Sequence, residues 1–211
     1  MKKLPFKTAL FDLDGVLIDT EPQYAGFWGY IGSLFLPEIP DFANQIKGKS
    51  LKDIFDVYFP DDLVTQMVVK QQLVASEKAM SYPLFPHALE VVKGLRDRGL
   101  KVAIVTSSDG SKMKALYKSH PGLPECFDMV FTAEHVTRSK PAPDCYINAA
   151  KAMNTDISEC CVFEDSINGL VAARDAGAHV VGLTTTLNRD TVGCYADEVW
   201  QDLWDWWQHN V

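Results

Sequence analysis

The sequence predicts an α/β fold: a doubly wound parallel sheet with an α-helical cap domain inserted near its start. Three observations predict it. Short, near-continuous apolar runs recur along the chain, segments of helical spacing separate them, and one separation is far too long for a single crossover. Such apolar runs fit parallel strands covered on both faces. Strands alternating with helices build this class of core.

The first run, Thr8–Phe11, ends at Asp12, and the second, Lys101–Val105, begins far downstream. A crossover needs only a dozen or so residues. Helical character fills much of the excess, over Tyr24–Phe35, Ser50–Tyr58 and Asp62–Met80, with loops at Leu36-Pro37 through Pro40-Asp41 and at Pro60-Asp61. The expected division is therefore a core of residues 1–19 and 85–211 and a cap of residues 20–84. Its junctions, near Ile18–Glu21 and Ser81–Phe85, lie beside the first strand's exit, where a hinge can open and close a site. After the cap, Leu89, Val91, Val92 and Leu95 form one helical stripe, and Gly99 fits its stop.

The third strand is expected at Asp128–Phe131, and Pro143 fits the first turn of a helix running to Met153. The fourth strand is Cys160–Phe163. Ile167, Leu170, Val171 and Arg174 mark a helix that ends at Ala176-Gly177, before a fifth strand at His179–Leu183. The tail from Val199 to Trp207 holds four of the five tryptophans, and Trp200, Trp204 and Trp207 fall at helical spacing. A terminal helix docked on the core explains them better than a ligand platform does.

Composition narrows the function classes. The formal net charge is −8 and no basic stretch occurs, which argues against a nucleic-acid partner. A local cationic pocket for phosphate remains compatible with an acidic protein. No run is long enough to span a bilayer, so no membrane partner is expected. Met1-Lys2-Lys3 imitates the start of a secretory signal, but the apolar run after it ends too soon. The cysteines at 126, 145, 160, 161 and 194 show no Cys-x-x-Cys spacing and read as reduced thiols in a cytoplasmic protein.

The chemistry begins at Asp12 and Asp14. Side chains at i and i+2 on an extended strand point the same way, and Gly15 lets the backbone turn sharply just beyond them. Two like charges this close need a cation between them or a shared proton. The pair suggests a metal site, a nucleophile beside an acid/base, or both; the bland alternative is a solvated strand end. Three further groups follow strand ends, where ligands bind in open parallel sheets. Thr106-Ser107-Ser108 follows the second strand, Lys140 lies in the loop after the third, and Glu164-Asp165 follows the fourth.

Together they match phosphoryl transfer, which needs positive charge around the phosphate, an in-line nucleophile and a proton source for the leaving oxygen. Asp12 can attack phosphorus to form an acyl phosphate, and Asp14 can protonate the leaving alcohol and then activate water. Oxygen ligands from Asp12, Asp165, Glu164 and the Asp14 carbonyl suit Mg²⁺. Thr106 can donate to phosphoryl oxygens, and Lys140 supplies a point charge. No histidine is assigned a metal.

The segments Phe11-Asp12-Leu13-Asp14-Gly15-Val16-Leu17-Ile18-Asp19-Thr20-Glu21, Val105-Thr106-Ser107-Ser108, Ser139-Lys140-Pro141-Ala142-Pro143-Asp144 and Phe163-Glu164-Asp165-Ser166 through Gly169 closely resemble the four motifs of the haloacid dehalogenase superfamily. The chain resembles in particular its β-phosphoglucomutase-like branch of sugar phosphatases and mutases. The resemblance implies a Rossmann-like core with a helical cap. It also implies Asp12 as nucleophile, Asp14 as acid/base, and Thr106 and Lys140 as phosphate ligands. Asp12, Asp14 and Asp165 are then Mg²⁺ ligands, with Glu164 a direct or water-mediated contributor. Ser107 and Ser108 are implied to touch phosphate.

Departures from the branch bear on the outcome. Mutases of that branch carry a histidine where this chain has Tyr24 and an arginine where it has Leu51. That arginine would grip the second phosphate of a bisphosphate intermediate. Without it hydrolysis is expected, so the favoured reading is a phosphatase of small sugar or polyol phosphates, with a sugar-phosphate mutase as the alternative. A dehalogenase needs neither Asp14 nor the Glu164-Asp165 pair, and a non-catalytic metabolite sensor leaves the full set unexplained. The loop Gln45-Ile46-Lys47-Gly48-Lys49-Ser50 is expected to face the leaving group, with Lys47 or Lys49 contacting hydroxyls or a second anion. Either lysine alone also fits an ordinary solvated charge. A monomer is compatible with the sequence.

Overall fold

The computed structural model describes residues 4–47, 49 and 51–211. The run Thr8-Ala9-Leu10-Phe11 is a strand, β1 (Thr8–Phe11), buried at every position. It is buried because it has a parallel partner on each side, β2 (Lys101–Val105) and β4 (Cys160–Glu164). β3 (Met129–Phe131) extends the sheet beyond β2, and β5 (His179–Leu183) and β6 (Glu198–Trp200) extend it beyond β4. The order is β3-β2-β1-β4-β5-β6 with every pair parallel. Strand order therefore reverses between β1 and β4, the switch point at which open α/β sheets bind ligands.

The helices are α1 (Glu21–Phe35), α2 (Phe42–Gln45), α3 (Leu51–Tyr58), α4 (Leu63–Ala79), α5 (Ala88–Asp97), α6 (Gly110–Ser119), α7 (Asp144–Ala152), α8 (Ile167–Ala176), α9 (Arg189–Gly193) and α10 (Leu203–Asn210). Strand residues alternate between two cores, as the period of two requires. Ala9, Phe11, Val102, Ile104, Cys161 and Phe163 face one side with Val92 and Leu95 of α5, Leu116 of α6 and Trp206 of α10. Leu10, Ala103, Val105, Cys160 and Val162 face the other with Tyr146 and Ala149 of α7 and Leu170 and Ala173 of α8. Phe11 and Phe163 stack with centroids 4.9 Å apart, adding about 0.5–1.5 kcal/mol beyond area burial. That stack sits just below the strand ends and stiffens the floor of the site.

Helices α1 to α4 occupy the long stretch between β1 and β2 and have a separate core. Phe27, Trp28, Ile31, Phe42, Ile54, Phe55, Phe59 and Val69 pack together there. This helical insertion joins the sheet at Asp19, whose N–H donates to the Pro83 carbonyl at 2.8 Å. Among the described residues no helix is long and apolar enough to cross a membrane.

Several elements differ from the sequence expectation. α1 begins at Glu21 rather than Tyr24, because Pro22 is accommodated in the first turn, where its missing N–H costs nothing. Asp62 caps α4 by accepting from Thr65 N instead of lying inside it. The third strand starts at Met129, since the Asp128 carboxylate turns back to accept from Val102 N at 2.8 Å. Trp200 is a strand residue of β6, an unforeseen sixth strand, and the terminal helix begins only at Leu203. Met1–Lys3, Gly48 and Ser50 lie outside the described residues, and with them the close backbone approach expected at Gly48.

Candidate active site

The carboxyl ends of β1, β2 and β4 and the loop after β3 open into one cavity of about 720 Å³. Asp12, Asp14, Thr106, Ser107, Ser108, Lys140 and Asp165 line its floor, and Tyr24, Lys49, Leu51 and Glu77 of the helical insertion line its roof. Asp12 is held where β1 ends by a 3.0 Å bond from its N–H to the Phe163 carbonyl on β4. Gly15 takes a left-handed conformation (φ 75°), and a Cβ there would lie 1.8 Å from Asp165 Oδ2. Only glycine meets both conditions.

Lys140 organises the floor. Its ammonium donates to Asp12 Oδ1 at 2.6 Å, to Glu164 Oε1 at 2.6 Å and to the Val105 carbonyl at 3.1 Å. The side chain is 6% exposed and lies over the Tyr146 ring at 4.9 Å. Glu164 is fully buried. Its Oε1 also accepts from Tyr146 OH at 2.8 Å, and its Oε2 accepts from Asp165 N, Ser166 N and Ser166 Oγ at 3.0–3.3 Å. Its oxygens thus help fix Lys140 and the turn into α8. Thr186 donates to Asp165, and Thr185 to the Gly15 carbonyl at 2.5 Å.

Charge is unbalanced here. Asp12, Glu164 and Asp165 each offer an oxygen, all within 4.8 Å of one another. Among the described residues only Lys140 forms an ion pair with any of them. Burial pushes the Asp12 carboxyl up to about 7; Lys140 opposes this, while Glu164 and Asp14 add to it. Burial also pushes Asp165 well up, reinforced by Glu164 and Asp12. Three buried hard-oxygen donors with one monovalent counter-charge form a donor set that fits a small divalent cation.

Asp14 faces the same cavity in a different setting. Its carboxylate accepts from Lys112 Nζ at 2.7 Å on both oxygens, from Thr20 Oγ1 at 2.5 Å and from Ser108 Oγ at 3.2 Å. Ser108 N donates to Thr106 Oγ1 at 3.0 Å, so the Thr106 hydroxyl keeps its own proton to donate into the cavity. Tyr24 OH donates to Glu77 Oε1 at 3.0 Å, and burial with the neighbouring Asp14 and Glu77 charges raises its pKa. Lys47 pairs with Glu21 at 3.3 Å and lines an adjoining side cavity of about 220 Å³, which Lys49 also borders. Lys49 stands over the Tyr58 ring at 5.3 Å.

Sequence reasoning missed Lys112, Tyr146, Glu77, Thr185 and Thr186. The threonine run directly after β5 could have revealed the last two, because it occupies the same sheet edge as the other strand-end groups. Lys112 and Glu77 carry no local signal beyond that of ordinary helix-surface charges.

Known proteins match this arrangement. A family model described as haloacid dehalogenase-like hydrolase matches residues 6–177. A bifunctional riboflavin kinase/FMN phosphatase from Arabidopsis thaliana is 29% identical over 97% of this chain, which spans 55% of that relative's length. A fructose-1-phosphate phosphatase from Escherichia coli is 30% identical, covering 82% of this chain and 93% of the relative. Among solved structures, a hydrolase of the same superfamily from Entamoeba histolytica superposes with a TM-score of 0.79 at 23% identity, covering 93% of each chain. The chain belongs to the haloacid dehalogenase-like hydrolases. Its enzyme class is that of the phosphoric monoester hydrolases.

Proposed function

We propose that the chain is a Mg²⁺-dependent phosphatase of small sugar or polyol phosphates that works through a phosphoaspartate on Asp12, residues 20–84 acting as a cap over the site. The observation that carries this reading is the buried Asp12 carboxylate, held by Lys140 at 2.6 Å and facing the same cavity as Asp14.

Asp12 attacks phosphorus with the oxygen that Lys140 does not hold, forming an acyl phosphate as the bond from phosphorus to the alcohol oxygen breaks. Lys140, the Thr106 hydroxyl and Ser107 lie around the floor and serve the phosphoryl oxygens, with Ser108 contributing where it is not engaged by Asp14. Asp14 delivers a proton to the departing alkoxide, then takes one from the water that cleaves the acyl phosphate, restoring Asp12 and releasing inorganic phosphate. Asp12, Asp165, Glu164 and the Asp14 carbonyl are the groups proposed to hold Mg²⁺. The ion supplies the positive charge that lets a carboxylate approach a phosphate dianion.

Hydrolysis is preferred to mutase chemistry because no arginine is among the described residues that line the roof. Leu51 lines the cavity, and Tyr24 is already engaged with Glu77 and Lys112. Lys49 borders the cavity on its roof side and Lys47 the adjoining side cavity, and both are proposed to contact sugar hydroxyls. A panel of phosphate esters assayed with Mg²⁺ tests the reading. Phosphate release should vanish with chelator and in Asp12→Asn, and should fall by about 10²–10⁴-fold in Asp14→Asn. Undiminished turnover in Asp12→Asn, or isomerised ester appearing faster than free phosphate, would overturn it.

A further inference from the structure

Lys112 is where the core and the helical insertion meet. Its side chain is 11% exposed. An ammonium has three protons, and three acceptors take them: both Asp14 oxygens at 2.7 Å and Tyr24 OH at 3.1 Å. The Tyr24 ring also faces the ammonium, 5.2 Å away. Tyr24 OH donates a hydrogen bond to Glu77 Oε1, so one chain of bonds runs from the β1 exit through α6 to both long helices of the insertion. Lys112 is fixed at its other end too, because its N–H donates to the capping Asp109 carboxylate at 2.9 Å. Thr20, which donates to Asp14, and Tyr24 lie on one turn: the Tyr24 N–H donates to the Thr20 carbonyl at 3.1 Å. Any movement of α1 therefore shifts two contacts of the Asp14 cluster at once.

We propose that Lys112 is a positioning residue that latches the helical insertion over the cavity and thereby sets the direction of the Asp14 carboxylate; this rests on the reading of Asp14 as the acid/base. Opening the insertion withdraws Tyr24 and Glu77, leaves the ammonium short of an acceptor and frees Asp14 to turn. Closing it restores the aligned carboxylate. The enzyme thus has its proton-transfer group in register only when the roof is seated.

The test compares kcat/KM on two esters in Lys112→Met and Tyr24→Phe. One is fructose 1-phosphate, or another alkyl phosphate that the unaltered enzyme turns over, whose alkoxide needs a proton to leave. The other is p-nitrophenyl phosphate, whose phenolate leaves without one. Lys112→Met should lose about 10–100-fold on the alkyl ester and less than about 3-fold on the aryl ester. Tyr24→Phe should show the same asymmetry in weaker form. Equal losses on the two esters, or no loss on either, would overturn the proposal. Hydrogen exchange decides the latch without any turnover. In Lys112→Met the first turns of α1 and the last turn of α4 should exchange faster while β1 and β4 do not; unchanged exchange in both helices would refute it. If the unaltered enzyme releases phosphate from no ester, the phosphatase reading fails while the exchange result still judges the latch.

Discussion

Replacing Lys140 by methionine removes the one ammonium that two buried carboxylates, Asp12 and Glu164, share. The size of the effect follows from burial. The lysine side chain is 6% exposed, that of Asp12 13% and that of Glu164 0%, so the surface regime, in which an ion pair is worth at most about 1 kcal/mol, does not apply. Breaking a buried pair costs about 3–5 kcal/mol, because the abandoned charge stays desolvated. For a chain of this size each kcal/mol moves Tm by about 2–4 °C, so Lys140→Met should melt roughly 6–20 °C lower in chelator. Added Mg²⁺ should return part of the loss, since the cation takes over some of the missing charge. Differential scanning calorimetry with and without Mg²⁺ measures both quantities. A Tm within 2 °C of the unaltered protein in chelator would refute the charge-cluster argument.

Substituting Gly15 by alanine forces a left-handed residue at a cost of about 1–2 kcal/mol and drives a methyl group into the Asp165 carboxylate; both Tm and Mg²⁺ affinity should fall, and an unchanged affinity would show that Asp165 can move freely. Mg²⁺ at about a hundred times its Kd should stabilise the unaltered protein by about 2.7 kcal/mol. Asp165→Asn should lose most of that gain in a thermal-shift titration, and an equal gain in the variant would remove Asp165 from the cation site. In chelator, the Asp12 carboxyl is raised from 3.8 to about 7, so the folded state holds a proton that the unfolded state has released between those values. Stability from this group is therefore present at low pH and lost as pH rises from about 4 to about 7. The difference in Tm between the unaltered protein and Asp12→Asn should follow that window, and a flat difference would contradict it.

The central sheet was legible because its strands carry their burial in their composition. Thr8–Phe11 and Cys160–Glu164 have neighbours on both sides and helices on both faces, so nearly every position is apolar and the run stands out. β6 lacks that signature. Glu198, Val199 and Trp200 are all only partly buried at the sheet edge, and the adjacent tryptophans give the tail a helical period that absorbs Trp200. The helical insertion was visible as an excess of chain with helical stretches in it, but its packing was not. Its core comes from aromatic residues scattered over α1, α2 and α3, such as Phe27, Phe42 and Phe55, whose convergence no local spacing announces.

The same division explains which site residues could be read. Asp12, Asp14, Thr106, Lys140, Glu164 and Asp165 all lie at strand ends or in the loops just after them, and the topology of a parallel sheet delivers every strand end to one edge. Their counter-charges and orienting partners obey no such rule. Lys112 is 98 positions from Asp14, and Glu77 is 53 positions from Tyr24; one lies in the first turn of α6 and the other in the last turn of α4, where a charged residue carries no sign of a distant partner. Tyr146 is buried on the inner side of α7, where an aromatic side chain reads as core until its hydroxyl is found 2.8 Å from Glu164. Groups meant to touch substrate stand at strand ends because the backbone must present them to a common point. Groups that tune them only need to reach, and a lysine or tyrosine can do so from almost any helix that packs against that edge.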